Sequence, residues 1–160
     1  MAGPNVQAES IHYLPKNRFR IRVDGESYGE FVTAGPINES EFGVMEINTG
    51  EQNGVAAQSA GKKKWSPLVL TQGATRDTKL SDWYDLIGNP DGINGEVDPK
   101  YKKTMELDQL DRDGNAVMTW VYTEAWPSKF SEGDFDGNAN EFRIVSVTIT
   151  FKRSRKKIVA

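Results

Sequence analysis

Basic and apolar residues alternate without a break along Arg18-Phe19-Arg20-Ile21-Arg22-Val23. A period of two is what a strand with one buried face requires. Asp24-Gly25-Glu26-Ser27 supplies turn residues, and Tyr28 to Thr33 follows as a partner strand ended by Gly35-Pro36. Phe42 to Asn48 predicts a further strand. From Thr49 to Lys64 large apolar residues are almost absent and Gly, Gln, Asn and Lys dominate, which predicts a long polar loop. Trp65 to Thr71 returns as a strand, with Pro67 placing it at an edge or at a strand start.

The period changes once. Leu80, Trp83, Tyr84 and Ile87 fall at helical spacing and form one apolar stripe, predicting a helix over about 77–87. Asp77 is placed to cap it or to stand as an acid in its first turn against the helix dipole, and Gly88 with Pro90 to stop it. Asn89 to Pro99 is turn-rich and polar, a surface loop. Beyond it, Lys103 to Leu110 pairs through Asp111-Arg112-Asp113-Gly114-Asn115 with Ala116 to Ala125, and Pro127 ends the second strand. A polar loop leads to Glu141 to Lys152, where Val145, Val147, Ile149 and Phe151 face one way.

Seven strands with mostly short links and one helix predict a mainly β fold of the α+β kind. The architecture is an antiparallel sandwich or barrel with a flanking helix. The expected layout is an N-terminal arm over 1–17, a β domain over 18–152 and a basic C-terminal tail over 153–160.

Composition narrows the function. The chain of 160 residues is long enough for one domain with a real core. The N-terminus shows no apolar signal region, and no stretch approaches the ~20 apolar residues of a membrane span. Cysteine is absent, which removes disulfides, thiolate metal sites and a thiol nucleophile. The net charge is −3, but Lys152, Arg153, Arg155, Lys156 and Lys157 stand close together, and without them the rest carries −8. Such a body is a poor duplex-DNA binder.

Candidate chemistry is thin. The single histidine, His12, lies in the arm, where no relay or metal cluster holds it. Asp111, Asp113 and Asn115, and again Asp134, Asp136, Asn138 and Asn140, space oxygens as calcium loops do. Neither carries the bidentate acid at EF-hand spacing, and Asp, Asn and Gly also build plain turns. No catalytic residue, metal site or cofactor is expected. Lys62, Lys63 and Lys64 read as solvated charge or as an electrostatic docking patch.

The order of segments resembles the tube protein family of contractile phage tails, shared with extracellular contractile injection systems. The matching features are Phe19 to Gly25 with its turn, then Leu70 to Asp77 leading to Leu80 and Trp83. Further on come Met105 to Leu107, Asp111, Gly114-Asn115, Trp120 to Tyr122, and Ala125-Trp126-Pro127. Asp136, Asn140-Glu141, Ile144 and Val147 complete the pattern. It covers roughly Phe19 to Phe151, with Gly25, Trp83, Gly114, Trp120, Trp126, Pro127 and Asn140 as its structural residues.

The resemblance implies a non-enzymatic structural subunit. Six copies form a ring, rings stack into a hollow tube, and each copy adds strands to a continuous inner barrel. Implied partners are further copies, a tail sheath protein, a baseplate or tube initiator, a tail terminator, and DNA or protein cargo in transit. The subunit itself binds no membrane, and the particle is a virion tail or an injection machine assembled in the host cytoplasm. The polar loop, with Gly50, Glu51, Gln52, Asn53, Gly54, Lys62, Lys63 and Lys64, is then expected at a subunit or ring interface. Two alternatives make different demands. A type VI secretion tube protein would share fold and ring. A monomeric β-sandwich binding module would need an exposed aromatic patch, for which Trp120, Tyr122 and Trp126 are available.

Overall fold

The computed structural model describes residues 13–47, 57–88 and 99–159. Among them are ten strands, one α-helix and a short 3-10 turn at Pro99–Tyr101. The strands are β1 (Phe19–Val23), β2 (Glu26–Ser27), β3 (Thr33–Gly35), β4 (Ser40–Ile47), β5 (Ala57–Trp65) and β6 (Leu68–Gly73). After α1 (Lys79–Asp85) come β7 (Lys103–Leu110), β8 (Ala116–Ser131), β9 (Ile144–Thr150) and β10 (Arg153–Ile158). All pairings are antiparallel. The main sheet runs β2-β1-β7-β8-β9-β6-β3 and stays open, with β10 beside β8, while β4 and β5 form a separate pair.

The alternation in β1 does what its period demands. Ile21 and Val23 are buried, and Arg20 and Arg22 point the other way. Asp24 and Gly25 both take positive φ, 50° and 82°. That is the twist a two-residue hairpin needs, and glycine reaches it without a Cβ clash. The expected partner strand over Tyr28 to Thr33 is not there. Only β2 and β3 form, because this segment crosses from β1 at one end of the sheet to β6 near the other. Tyr28 turns inward on the way and meets Trp83 edge to face, ring centroids 6.0 Å apart.

The main sheet folds over on itself at β8. Its first half pairs with β7 on one edge and β10 on the other, and its second half pairs with β9. Between the halves sits Glu124, at φ 52°, beside a register shift against β7. An extra residue in one strand sharpens twist and bends the sheet. The inner faces of the two halves then meet in one core containing Ile21, Leu107, Tyr122, Leu70, Val147 and Ile149. The result is a sandwich whose layers share a strand.

Two boundaries differ from the sequence expectation. Pro127 does not end its strand; it lies buried inside β8, opposite Ile149. The irregular register just after it accommodates a residue with no ladder donor. Nor does the sheet stop at Lys152. Arg153 to Ile158, expected within a basic C-terminal tail, is β10, in register with Met118 to Thr123. Its charge hid a strand whose side chains are mostly exposed.

The helix is shorter than expected and capped differently. Thr78 is the N-cap, and the Asp77 carboxylate accepts from the Lys79 N–H at 3.0 Å, one residue outside the cap. Leu80 and Trp83 are buried, and the Trp83 indole N–H donates to the Tyr101 carbonyl at 2.6 Å. Tyr84 stays at the surface and stacks on Phe130 at 5.6 Å.

Gly133, after β8, has φ 79°, and a Cβ there would lie 2.6 Å from the Ile144 carbonyl oxygen. Gly133→Ala is therefore expected to destabilise by roughly 1–3 kcal/mol, from backbone strain and the clash together. Urea unfolding measures it; a change below about 0.5 kcal/mol would show that the 132–143 loop has another conformation to use.

Candidate assembly surfaces

The β4–β5 hairpin stands outside the main sheet. Its bonds run between its own two strands, from Ser40 opposite Trp65 to Ile47 opposite Ala57, with a bulge at Gly43. Phe42, Val44 and Met45 are exposed. An isolated two-stranded hairpin is marginal in water unless its apolar side chains meet something else. The expected polar loop over Thr49 to Lys64 is thus partly a strand. Lys62, Lys63 and Lys64 sit within β5, while Gly50, Glu51, Gln52, Asn53 and Gly54 lie outside the described residues. Lys63 lies over the Trp65 ring, 4.2 Å from its centroid, so it stacks as well as solvates. Glu41 stands opposite Lys64.

The outer face of β1, β7, β8 and β10 carries a cluster of ion pairs. Strand register places Asp108 opposite Arg20 on one side and Thr119 on the other. Asp108 is fully buried. It accepts from Arg20 Nε at 3.0 Å, Arg22 Nε at 2.8 Å, Arg22 Nη2 at 2.9 Å and the Thr119 hydroxyl at 2.7 Å. Arg22 also pairs with Glu106. Burial alone pushes the Asp108 carboxyl up, but the hydrogen bonds from Arg22, Thr119 and Arg20 outweigh it and hold the group below the usual carboxylate range. The arginine alternation in β1 announced this face; its buried partner in β7 was missed. The available signal was the acid at Asp108, two residues beyond Glu106 on the polar side of an alternating strand.

Three further surfaces are defined. A cleft of about 720 Å3 is lined largely by apolar groups, among them Leu14, Phe19, Val32, Ile37, Val69 and Trp120. The loop from Glu132 to Arg143 exposes Phe135 and Phe142, each 90% accessible. Arg143 lies 5.1 Å from the centre of the Phe135 ring and donates to the Glu132 carbonyl. Last, among the described residues β10 is bonded on one edge only.

The residues singled out by motif are dispersed through the fold. Gly25 and Gly114 sit in the β1–β2 and β7–β8 turns. Trp83 and Trp120 are buried, and Trp126 meets Tyr101 edge to face at 5.8 Å. Pro127 is in the core wall, and Asn140 is exposed in the 132–143 loop. Tyr122 is fully buried, its hydroxyl donating to the Ile37 carbonyl, and burial pushes its phenol well up. With Trp120 and Tyr122 inside, the aromatic patch that a binding module would present is not on the surface. His12 lies outside the described residues. The Asp111 carboxylate accepts from the N–H groups of Asp113 and Asn115, both at 2.9 Å, and Asp136 accepts from Asn138 at 3.0 Å. Both oxygen-rich segments therefore use a carboxylate to close a local turn.

The same fold occurs in contractile injection machines. A chain of the cryo-EM structure of an extracellular contractile injection system, the PVC sheath–tube complex in its extended state, has TM-score 0.78 at 20% identity, over 99% of this chain and 100% of that one. A chain of the anti-feeding prophage cap, which terminates the tube, has TM-score 0.77 at 19% identity, covering 97% and 99%. Hcp1 from Flavobacterium johnsoniae is more distant, at TM-score 0.54 and 15% identity, covering 90% and 94%. No curated protein sequence matches the chain. The sequence model of the T4-like virus tail tube protein gp19 family matches residues 15–155, nearly the whole length, and the chain belongs to that family.

Proposed function

We propose that the chain is the inner-tube subunit of a contractile phage tail or a related injection particle. Six copies form a ring, and rings stack into a hollow conduit. The observation that carries this is the family match over residues 15–155, on a fold that leaves Phe42, Val44 and Met45 of the β4–β5 hairpin exposed. A neighbouring copy on Phe42, Val44 and Met45 would supply the missing packing, roughly 1.5–3 kcal/mol for each side chain fully buried. The interface would extend through Gly50 to Gly54 and Lys62 to Lys64. A sheath protein surrounds the tube, a baseplate initiates it, and a terminator closes it; the particle assembles in the host cytoplasm. DNA or protein passes through the channel on contraction.

Electron microscopy of the full chain, alone and with purified baseplates as seeds, tests this. Six-fold rings or stacked tubes with an open channel are expected. A chain that stays monomeric at high concentration and fails to extend the seeds overturns the reading.

A further inference from the structure

Resting on the tube-subunit reading, we infer that the cationic strand β10 of one copy receives the acidic, phenylalanine-bearing 132–143 loop of the next copy.

The loop is unusual in what it exposes. Phe135 and Phe142 are each 90% accessible, although burying one would gain roughly 1.5–3 kcal/mol. Around them are Glu132, Asp134, Asp136 and Glu141. Arg143 is the loop's own cation, and it reaches only one ring. Aromatic groups ringed by carboxylates fit a cationic surface with some apolar area, since a guanidinium can pair with an acid and lie over a ring.

β10 offers that surface. Register with β8 places Arg153, Arg155 and Lys157 opposite Thr123, Val121 and Thr119, in one row on one face. Along a strand such residues recur at roughly 6.6–6.8 Å. Among the described ion pairs, carboxylates hold Arg20 and Arg22 on this face, and none holds the β10 row. Ile158 and Val159 are exposed at the end of the strand. No described strand pairs with the outer edge of β10.

No described ion pair joins the two features within one chain. The loop follows Ser131, at one end of β8, and Ile158 of β10 pairs with Met118 near the other end. Measured along the bent strand, the Arg153, Arg155 and Lys157 row lies roughly 26–40 Å of contour from Ser131. Complementary patches at different places on a subunit join head to tail, and head-to-tail contacts generate rings or open stacks rather than closed two-fold pairs.

The plainer account of β10 is that its Lys and Arg residues guard a free edge against unwanted pairing. Mixing separates the two accounts. One variant carries Arg155→Glu with Lys157→Glu, and the other carries Asp134→Lys with Glu141→Lys; both are full-length. All four positions are exposed or half-buried, so both variants are expected to keep the wild-type circular dichroism and melting temperature. Each alone should lose at least about a hundredfold in sedimentable assembly on seeds, because like charges then face each other. A 1:1 mixture should restore it, since each reversed loop meets a reversed β10 from the other variant. The same result is expected from a chain carrying all four substitutions.

Folded variants that assemble alone as wild type does would overturn the inference and leave the tube reading intact. So would variants that neither the mixture nor the fourfold chain rescues. Wild type that never assembles would remove the tube reading, and the inference with it.

Discussion

Replacing both Arg20 and Arg22 with alanine is expected to destabilise the fold by about 3–5 kcal/mol, the range for stranding a buried charge. Asp108 has no exposure of its own, and Thr119 would be its remaining described donor. In a protein of this size the melting temperature should fall by roughly 6–20 °C. The pH dependence should reverse as well. In the wild type the Asp108 pKa is lowered, so its contribution is fully present above the unfolded-state value near 4 and is lost as pH falls through the folded value. Without the arginines, burial dominates and the pKa rises above its unfolded value. The variant should then gain stability as pH is lowered from neutral towards about 4, where wild type is flat. Denaturant unfolding across that range reads the slope directly. A variant that loses stability in parallel with wild type on acidification would show that the arginines do not hold the carboxylate in its charged form.

Excising the hairpin tip should separate folding from assembly. Phe42 and Lys63 are paired, so residues 43–62 can be replaced by a two-residue Asn-Gly turn that closes the shortened hairpin. No described residue of that stretch belongs to the core. The melting temperature is expected to stay within about 4 °C of wild type, equivalent to about 1 kcal/mol. Assembly on seeds should collapse. Losing Val44 and Met45 from a contact removes roughly 3–6 kcal/mol, about two to four factors of ten in affinity. Long tubes from the shortened chain, seen by electron microscopy, would refute the hairpin's role.

How much of this the sequence announced depended on burial. β1 and β9 were legible because one face of each is core and the other is not, which writes a period of two into residues such as Ile21, Val23, Val147 and Ile149. The helix was legible from Leu80 and Trp83 for the same reason, and its ends were not, since Leu86 and Ile87 continue the apolar pattern into a turn. β5 and β10 were missed because their described side chains are mostly exposed, leaving no alternation to read. Pro127 misled because a lone proline argues against a central strand, and only register shows that an irregular step accommodates it. The Asp108 cluster required pairing partners 86 and 88 residues away in the chain, which no local pattern supplies.

The shared strand β8 has a mechanical meaning. It is gripped on both edges by β7 and β10 through its first half and by β9 through its second. A pull along its length would load those hydrogen bonds side by side, so many must fail together, whereas a strand lifted from one end gives way one bond at a time. The bend at Glu124 ties both layers of the sandwich to the same rod, so neither layer can slip without the other. In a tube wall, a load running along β8 would reach the subunit as shear along such a rod. The wall would deform as a unit and would not peel apart layer by layer.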